Sequence, residues 1–281
     1  MELGTQSEFL GIMTQVEMLA TFFIHDGGDT AKWRLKGHGQ KKFFEWLASW
    51  AVVMRDPSAY GFAKKPDLPP LSIKQVTIES GQTDGLLPAL AQSLGERLAA
   101  RRDTVAMRCA AAASLANDID GPVLVWCNLN DESEMLSSSI NGAVEVSGSD
   151  KPEVKESRII GFTNGSHRVL VTKPKIAGFG MNWQHCRNMI FVGLSDSWEQ
   201  YYQAIRRCWR YGQMETVNVY VVTADIEGMV VENIKRKDEQ SDRMMDEMAA
   251  IAKDFFNDYT KASNELRAYQ PKKTAPLPNF I

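Results

Sequence analysis

The 281 residues, 44% hydrophobic and 24% charged, supply an ordinary packed core for one large domain or two small ones, and the net charge of −3 excludes a global field that draws in nucleic acid. Any such binding must come from local basic stripes. Cys109, Cys127, Cys186 and Cys208 have no CxxC pair and no histidine at metal-ligand spacing, so no metal site is expected. They read as reduced cytosolic thiols; with no signal peptide after Glu2 and Glu8, and no apolar run near the ~20 residues of a membrane span, the expected location is the cytoplasm.

In chain order, Gln6 to Phe23 carries Phe9, Leu10, Met13, Val16, Leu19, Phe22 and Phe23 at helical spacing, which predicts one amphipathic helix. His25 to Asp29 breaks it, and Ala31 to Leu35 suits a short strand. Lys41 to Met54 predicts a second helix whose stripe of Phe43, Phe44, Trp46, Leu47 and Trp50 belongs in a core. The first 60 or so residues hold too few elements to bury both helices, so another surface must cover them.

Pro57 to Pro70 reads as a linker and the alternating run Leu71 to Ile78 as a strand. Leu86 to Asn117 predicts one long or two consecutive helices with Pro88 in the first turn. Its Arg97, Arg101, Arg102 and Arg108 read as a solvated face rather than a nucleic-acid contact.

Beyond Pro122, strands over Val123 to Cys127, Ala143 to Val146, Arg168 to Thr172, Asn188 to Gly193 and Val217 to Thr223 alternate with helices over Asp131 to Ser139 and Pro152 to Thr163. Such alternation predicts an α/β fold with a parallel sheet covered on both faces, in which ligands sit at the carboxyl ends of the strands. Trp126 reads as buried. Val171 to Trp183, VTKPKIAGFGMNW, follows a strand; Gly178 and Gly180 permit close backbone approach, and Lys173 and Lys175 can neutralise phosphates.

Asp196 to Gln213, DSWEQYYQAIRRCWRYGQ, is the most informative stretch. Asp196 and Glu199 have capping-box spacing and Gly212 suits a left-handed helix end, so Ser197 to Tyr211 is expected to be helical. Gln203, Arg206, Arg207 and Arg210 then fall at i, i+3, i+4 and i+7, a stripe that repels itself unless an anion faces it. Arginine's planar fork suits phosphate oxygens. Ile226 to Tyr259 predicts a C-terminal helix, and Gln270 to Ile281 an extended tail.

The string from Gln203 to Gln213 closely resembles motif VI of superfamily 2 helicases, in the Q-A-x-x-R-x-x-R-x-G-Q form of the Swi/Snf-like translocases. Val171 to Trp183 resembles motif V of the same family, departing from it at Lys173-Pro174-Lys175 and Ala177. Val123 to Asn130 takes the motif IV position, and Leu68-Pro69-Pro70 with the following strand is similar to the junction between the two motor lobes. Phe22-Phe23, Lys32 to Leu35 and Trp46 to Trp50 look like phage-type helicases, which would place the protein in a host cytoplasm.

The resemblance implies a RecA-like second lobe at 81–225, after a mainly helical end of the first lobe at 1–65 and a linker and strand at 66–80, with a C-terminal helix and tail at 226–281. It implies that Arg207 and Arg210, supported by Gln203, reach the ATP γ-phosphate; such a finger is worth roughly 10³ to 10⁵ in rate. It assigns nucleotide contacts to Gly178, Gly180 and Gln213, and DNA contacts to Thr172, Lys173, Lys175 and Asn128. Arg206 occupies a variable position and receives no role.

The sequence contains no G-x-G-K-[ST] phosphate loop and no suitable Asp-Glu pair, the parts that hold ATP and Mg²⁺ in such motors. The expected partners are therefore DNA and a polypeptide carrying the first lobe, and the chain alone should not hydrolyse ATP. Two other readings stay open: an ATP-indifferent nucleic-acid-binding or regulatory module, and an unrelated α/β protein whose arginines grip another phosphorylated ligand.

Overall fold

The computed structural model describes residues 2–26, 29–52, 56–60, 62–64, 67–80, 83–84, 87–88, 102–178, 180–195 and 197–262. The chain divides into two compact units, one taking in the chain up to Lys65 and from Asp242 on, the other running Pro66–Ser241.

The larger unit is built on a six-stranded, wholly parallel sheet. Its strands are β3 (Leu71–Ile78), β6 (Val123–Trp126), β7 (Ala143–Val146), β8 (Val169–Thr172), β9 (Asn188–Val192) and β10 (Val217–Ala224), in the spatial order β3-β10-β9-β6-β8-β7. The inner strands VLVW, VLVT and NMIFV are buried at every position, which is why they read as unbroken apolar runs.

Alternate side chains feed opposite faces. Val123 and Val125 pack with Val105, Ala112, Leu136 and Ile140 from helices α4 (Val105–Asp118) and α5 (Asn130–Ser139). Leu124 and Trp126 pack instead with Phe162 of α6 (Pro152–Thr163), Ile205 of α8 (Trp198–Ile205) and Ile234 of α9 (Gly228–Ala262). The fold is the RecA-like α/β architecture expected, with helices on both faces, and Trp126 is fully buried. Because all six strands run the same way, the loops after β6, β8, β9 and β10 leave from one edge.

In the other unit the run expected as one helix is two, α1 (Glu2–Phe9) and α2 (Gln15–Phe22). Gly11 turns the chain at φ 68°, and Thr14 restarts the helix as an N-cap whose hydroxyl accepts from the Glu17 amide while the Glu17 carboxylate accepts from the Thr14 amide. Phe23–Asp26 (β1) pairs antiparallel with Asp29–Leu35 (β2), a hairpin of which only the second strand is legible in the sequence.

Helix α3 (Gln40–Ala48) stops six residues short of the expected Met54. Phe43 and Phe44 are core, packed with Met18 and Phe22, and the partly buried Trp46 lies against them together with Met248 and Ile251 from the second half of α9. Phe9, Leu10, Val16 and Val52 are exposed.

Three further expectations are corrected in the larger unit. The helix placed from Leu86 does not begin there: Leu87–Pro88 (β5) pairs with Thr83–Asp84 (β4), and helix α4 starts at Val105. Arg97 and Arg101 lie outside the described residues, while Arg108 is fully buried rather than on a solvated face. The basic helix ends at Ile205, not Tyr211, and is capped by the Ser197 hydroxyl, which accepts from the Gln200 amide; Asp196 lies outside the described residues. Among the described residues no helix is long and apolar enough to cross a membrane, and the four cysteines are buried and unpaired.

Candidate functional site

The site is the edge where the parallel strands end. The turn that follows α8 curls its arginines back toward the glycine-bearing loop after β8. Arg207 donates from Nε to the Gln203 carbonyl (2.9 Å), from Nη2 to Gln203 Oε1 (3.1 Å) and from Nη1 to the Met181 carbonyl (3.2 Å). Arg210 donates to the same Met181 oxygen at 3.3 Å. The Trp183 amide returns a bond to the Arg207 carbonyl at 2.9 Å. Loop and turn are thus strapped in both directions.

The indole of Trp183 anchors the strap. It is fully buried, meets Phe162 edge-on with centroids 5.6 Å apart, and donates from Nε1 to Thr163 Oγ1 at 3.0 Å. Burial, and next the nearby positive charge of Arg210, lowers the Arg207 pKa from its usual value. Three of the five donors of Arg207 are engaged within the chain, whereas Arg210 spends one on Met181.

Because the helix ends at Ile205, the expected straight stripe of Gln203, Arg206, Arg207 and Arg210 does not form. Arg206 turns away and lies over Trp209 (4.5 Å) and Tyr202 (5.0 Å), a cation–π sandwich that keeps it from the Met181 cluster. Trp209 in turn donates to the Pro69 carbonyl at 2.8 Å, fixing the Leu68-Pro69-Pro70 segment.

The glycines separate into two roles. Gly178 is buried and ends the short helix α7 (Pro174–Ala177); a Cβ there would lie 2.2 Å from the Pro174 carbonyl oxygen, so the turn requires glycine. Gly180 is exposed, has φ 79° and has open space around it, leaving its backbone accessible. Gly212 is left-handed at φ 95°, as expected, but closes a turn rather than a helix.

Gln213 is only 9% exposed and its amide is fully occupied: Nε2 donates to the carbonyls of Gln184 (2.8 Å) and Cys186 (3.4 Å), and Oε1 accepts from the Met214 and Glu215 amides. It clasps the turn from beneath. Thr172 is likewise fully buried, with its hydroxyl bonded to the Val146 carbonyl at 2.9 Å.

The remaining residues lie on the loops after β6 and β8. Lys173 donates to Asn130 Oδ1, joining the loops after β8 and β6, and Lys175, two residues along, is exposed. Asn128 lines a hollow of about 10 Å³ with Gly193, Ser195 and Gln200, and its Nδ2 approaches the Gly193 carbonyl at 3.5 Å. Sequence reasoning missed Trp183 and Glu132 as supports. Glu132 Oε2 accepts from the Asn128 and Leu129 amides (2.8 and 3.0 Å), an N3 carboxylate whose position at the start of α5 is the signal that could have found it.

Residues 107–212 match the helicase conserved C-terminal domain. No curated protein sequence matches the chain. Among solved structures it is similar to the C-terminal part of the Fun30 ATPase domain, at 20% identity and TM-score 0.41 over 50% of this chain and 52% of that one. It is also similar to the RNA-helicase Prp28 from Chaetomium thermophilum bound to ADP, at 14% identity and TM-score 0.42 over 64% of this chain and 39% of that one. The chain thus spans about half and about two fifths of the lengths of these two structures. The matched residues run from α4 to the turn after α8 and include four of the six strands of the parallel sheet.

Proposed function

We propose that the chain acts as the C-terminal half of an ATP-dependent DNA helicase or translocase of the Swi/Snf-like, phage-type kind. The observation that carries this reading is the strap itself: the two stretches that resemble motifs V and VI meet through Met181, Trp183, Arg207 and Arg210.

In this account Arg210, with most of its fork uncommitted to the chain, reaches the γ-phosphate of ATP, and Arg207 with Gln203 holds it in place and shares the phosphate charge. Gly178 shapes the turn, and Gly180 offers its backbone to the phosphates. Lys173, Lys175 and Asn128 face the DNA backbone, so a change at the nucleotide passes through the loop from Ala177 to Asn182 to the DNA track. Thr172 and Gln213 support these loops from inside.

Among the described residues no group of three or more His, Cys, Asp or Glu side chains is placed to hold a metal ion. The side chains at the strand ends fit phosphate oxygens instead, so Mg²⁺ belongs with the phosphate loop on a partner polypeptide. ATP, when bound there, supplies the transferable phosphoryl group; this chain supplies positive charge and orientation. The working location is the cytoplasm, that of the host if the chain is phage-encoded.

The test is Arg210→Ala in a mixture of the chain with a polypeptide carrying the phosphate-loop lobe. Loss of ATP turnover with DNA affinity retained supports the proposal. Full turnover by the variant removes the arginine assignment, and DNA binding with no turnover in any mixture favours an ATP-indifferent binding module.

A further inference from the structure

Behind the strand-end loops lies a charge cluster that the proposed chemistry does not use. Arg108 of α4 is fully buried. It donates from Nη1 to Glu132 Oε1 at 2.7 Å, and its Nε lies 3.1 Å from Thr104 Oγ1 and 3.4 Å from Glu227 Oε2. Glu132 and Glu227 are buried as well. Burying three ionic groups together is costly unless each is closely paired, so the arrangement constrains what surrounds it.

Each carboxylate has a second task at the working edge. Glu132 Oε2 holds the Asn128 and Leu129 amides, the loop after β6 that also carries Asn130, the partner of Lys173. Glu227 Oε2 holds the Ala224 amide at 3.0 Å, where β10 ends in a 3₁₀ turn, Asp225–Glu227. The one guanidinium therefore connects two loops that leave the sheet from β6 and from β10, strands that are separated by β9.

We infer that Arg108 is a positioning residue: it locks the Asn128–Asn130 loop and the Ala224–Glu227 turn into a single rim, so that Asn128 and Lys173 are presented to a nucleic-acid backbone in fixed register. This deepens the proposed function and rests on it for the identity of the ligand, but the locking itself is a property of the chain. Arginine suits the position because its donors sit on separate atoms, Nη1 facing Glu132 and Nε facing Glu227, whereas an ammonium offers all its donors from one nitrogen.

The experiment is amide hydrogen exchange of the full chain, wild type and Arg108→Gln, together with binding of a fluorescein-labelled DNA duplex over a salt series. The expected result is a loss of protection of roughly ten-fold or more at Asn128, Leu129 and Ala224, with Leu170 and Ile190 inside the sheet unchanged. The slope of log affinity against log salt should become shallower by about one as Lys173 leaves its register. Unchanged protection in either loop overturns the inference.

If Arg108→Gln does not fold, Arg108→Lys is measured the same way. The lysine presents its donors from one nitrogen instead of the two atoms that face Glu132 and Glu227, so at least one loop should lose protection; wild-type protection in both loops again overturns the inference. Should the wild-type chain bind no DNA, the proposed function fails, while the exchange pattern still decides on Arg108.

Discussion

Arg207 and Arg210 donate to one and the same acceptor, the main-chain oxygen of Met181, at 3.2 and 3.3 Å. Two guanidiniums converging on one carbonyl repel each other, and the mutual charge contributes to the lowered pKa of Arg207. An anion arriving beside them would relieve that repulsion. The arrangement is stable without one because burial of Trp183 and the reciprocal Trp183–Arg207 bond fix the loop and turn.

The two arginines should therefore separate under substitution. Arg210→Ala is expected to lower ATP turnover in the reconstituted mixture by roughly 10³ to 10⁵, with little change in the melting temperature of the chain. Arg207→Ala should lower turnover and also destabilise the chain by about 1–3 kcal/mol, since three internal bonds are lost with it. Thermal denaturation alongside the turnover assay checks both; equal melting temperatures for the two variants would contradict the bracing role of Arg207.

At the edge proposed to face DNA, Lys175→Ala should weaken DNA affinity and make the salt slope shallower by about one. Lys173→Ala should do the same and also release Asn130, its partner across the loops. Affinity measured over a salt series decides, and an unchanged slope in both variants removes the lysines from the phosphate track.

Trp183→Ala empties a fully buried site and breaks the Nε1 bond to Thr163. A loss of about 3–5 kcal/mol in urea denaturation is expected. Trp183→Phe should retain most of that stability, because the edge-on packing on Phe162 survives. A stable alanine variant would show that the loop does not depend on this anchor.

The pH dependence has a defined sign at His185. Partial burial lowers its pKa below the ordinary value, the Phe162 backbone bond opposing the shift; the ring lies 5.2 Å from that of Phe162. Between the folded value and the unfolded value of about 6.5, the unfolded chain binds more protons. The contribution is therefore complete above pH of about 6.5 and is lost as pH falls through the folded value. His185→Gln should show a smaller drop in melting temperature than the wild type between neutral and mildly acidic buffer. The difference will be modest, because the ring is partly exposed and solvent screens it.

The sheet was legible because its inner strands are buried on both faces, so VLVW, VLVT and NMIFV stand out as apolar runs between turn residues. The spatial order was not legible, since placing β3 beside β10 depends on pairings far apart in sequence. The early end of α8 escaped the pattern because arginines at helical spacing look alike whether the backbone is helical or turned. Past Ile205 the backbone bonds tighten, Arg207 to Ala204 and Cys208 to Ile205, the Arg207 side chain takes the Gln203 carbonyl, and the Trp183 amide takes the Arg207 carbonyl.

Gln213 and Thr172 stand in stretches that resemble helicase motifs, yet their polar atoms are consumed by Gln184, Cys186 and Val146. A motif position fixes neighbourhood, not which way a side chain faces. Arg108 shows the converse, a charge in an apparently solvated run that is among the most buried side chains of the chain. Its buried partners Glu132 and Glu227, 24 residues along the chain in the first case, account for the charge.

The most direct measurement is DNA-stimulated ATP hydrolysis by the purified chain, alone and mixed with a polypeptide carrying the phosphate-loop lobe. Turnover in the mixture only, and its loss in Arg210→Ala, is the predicted result. Turnover by the chain alone would contradict the account, because it would require a nucleotide site independent of the phosphate-loop lobe.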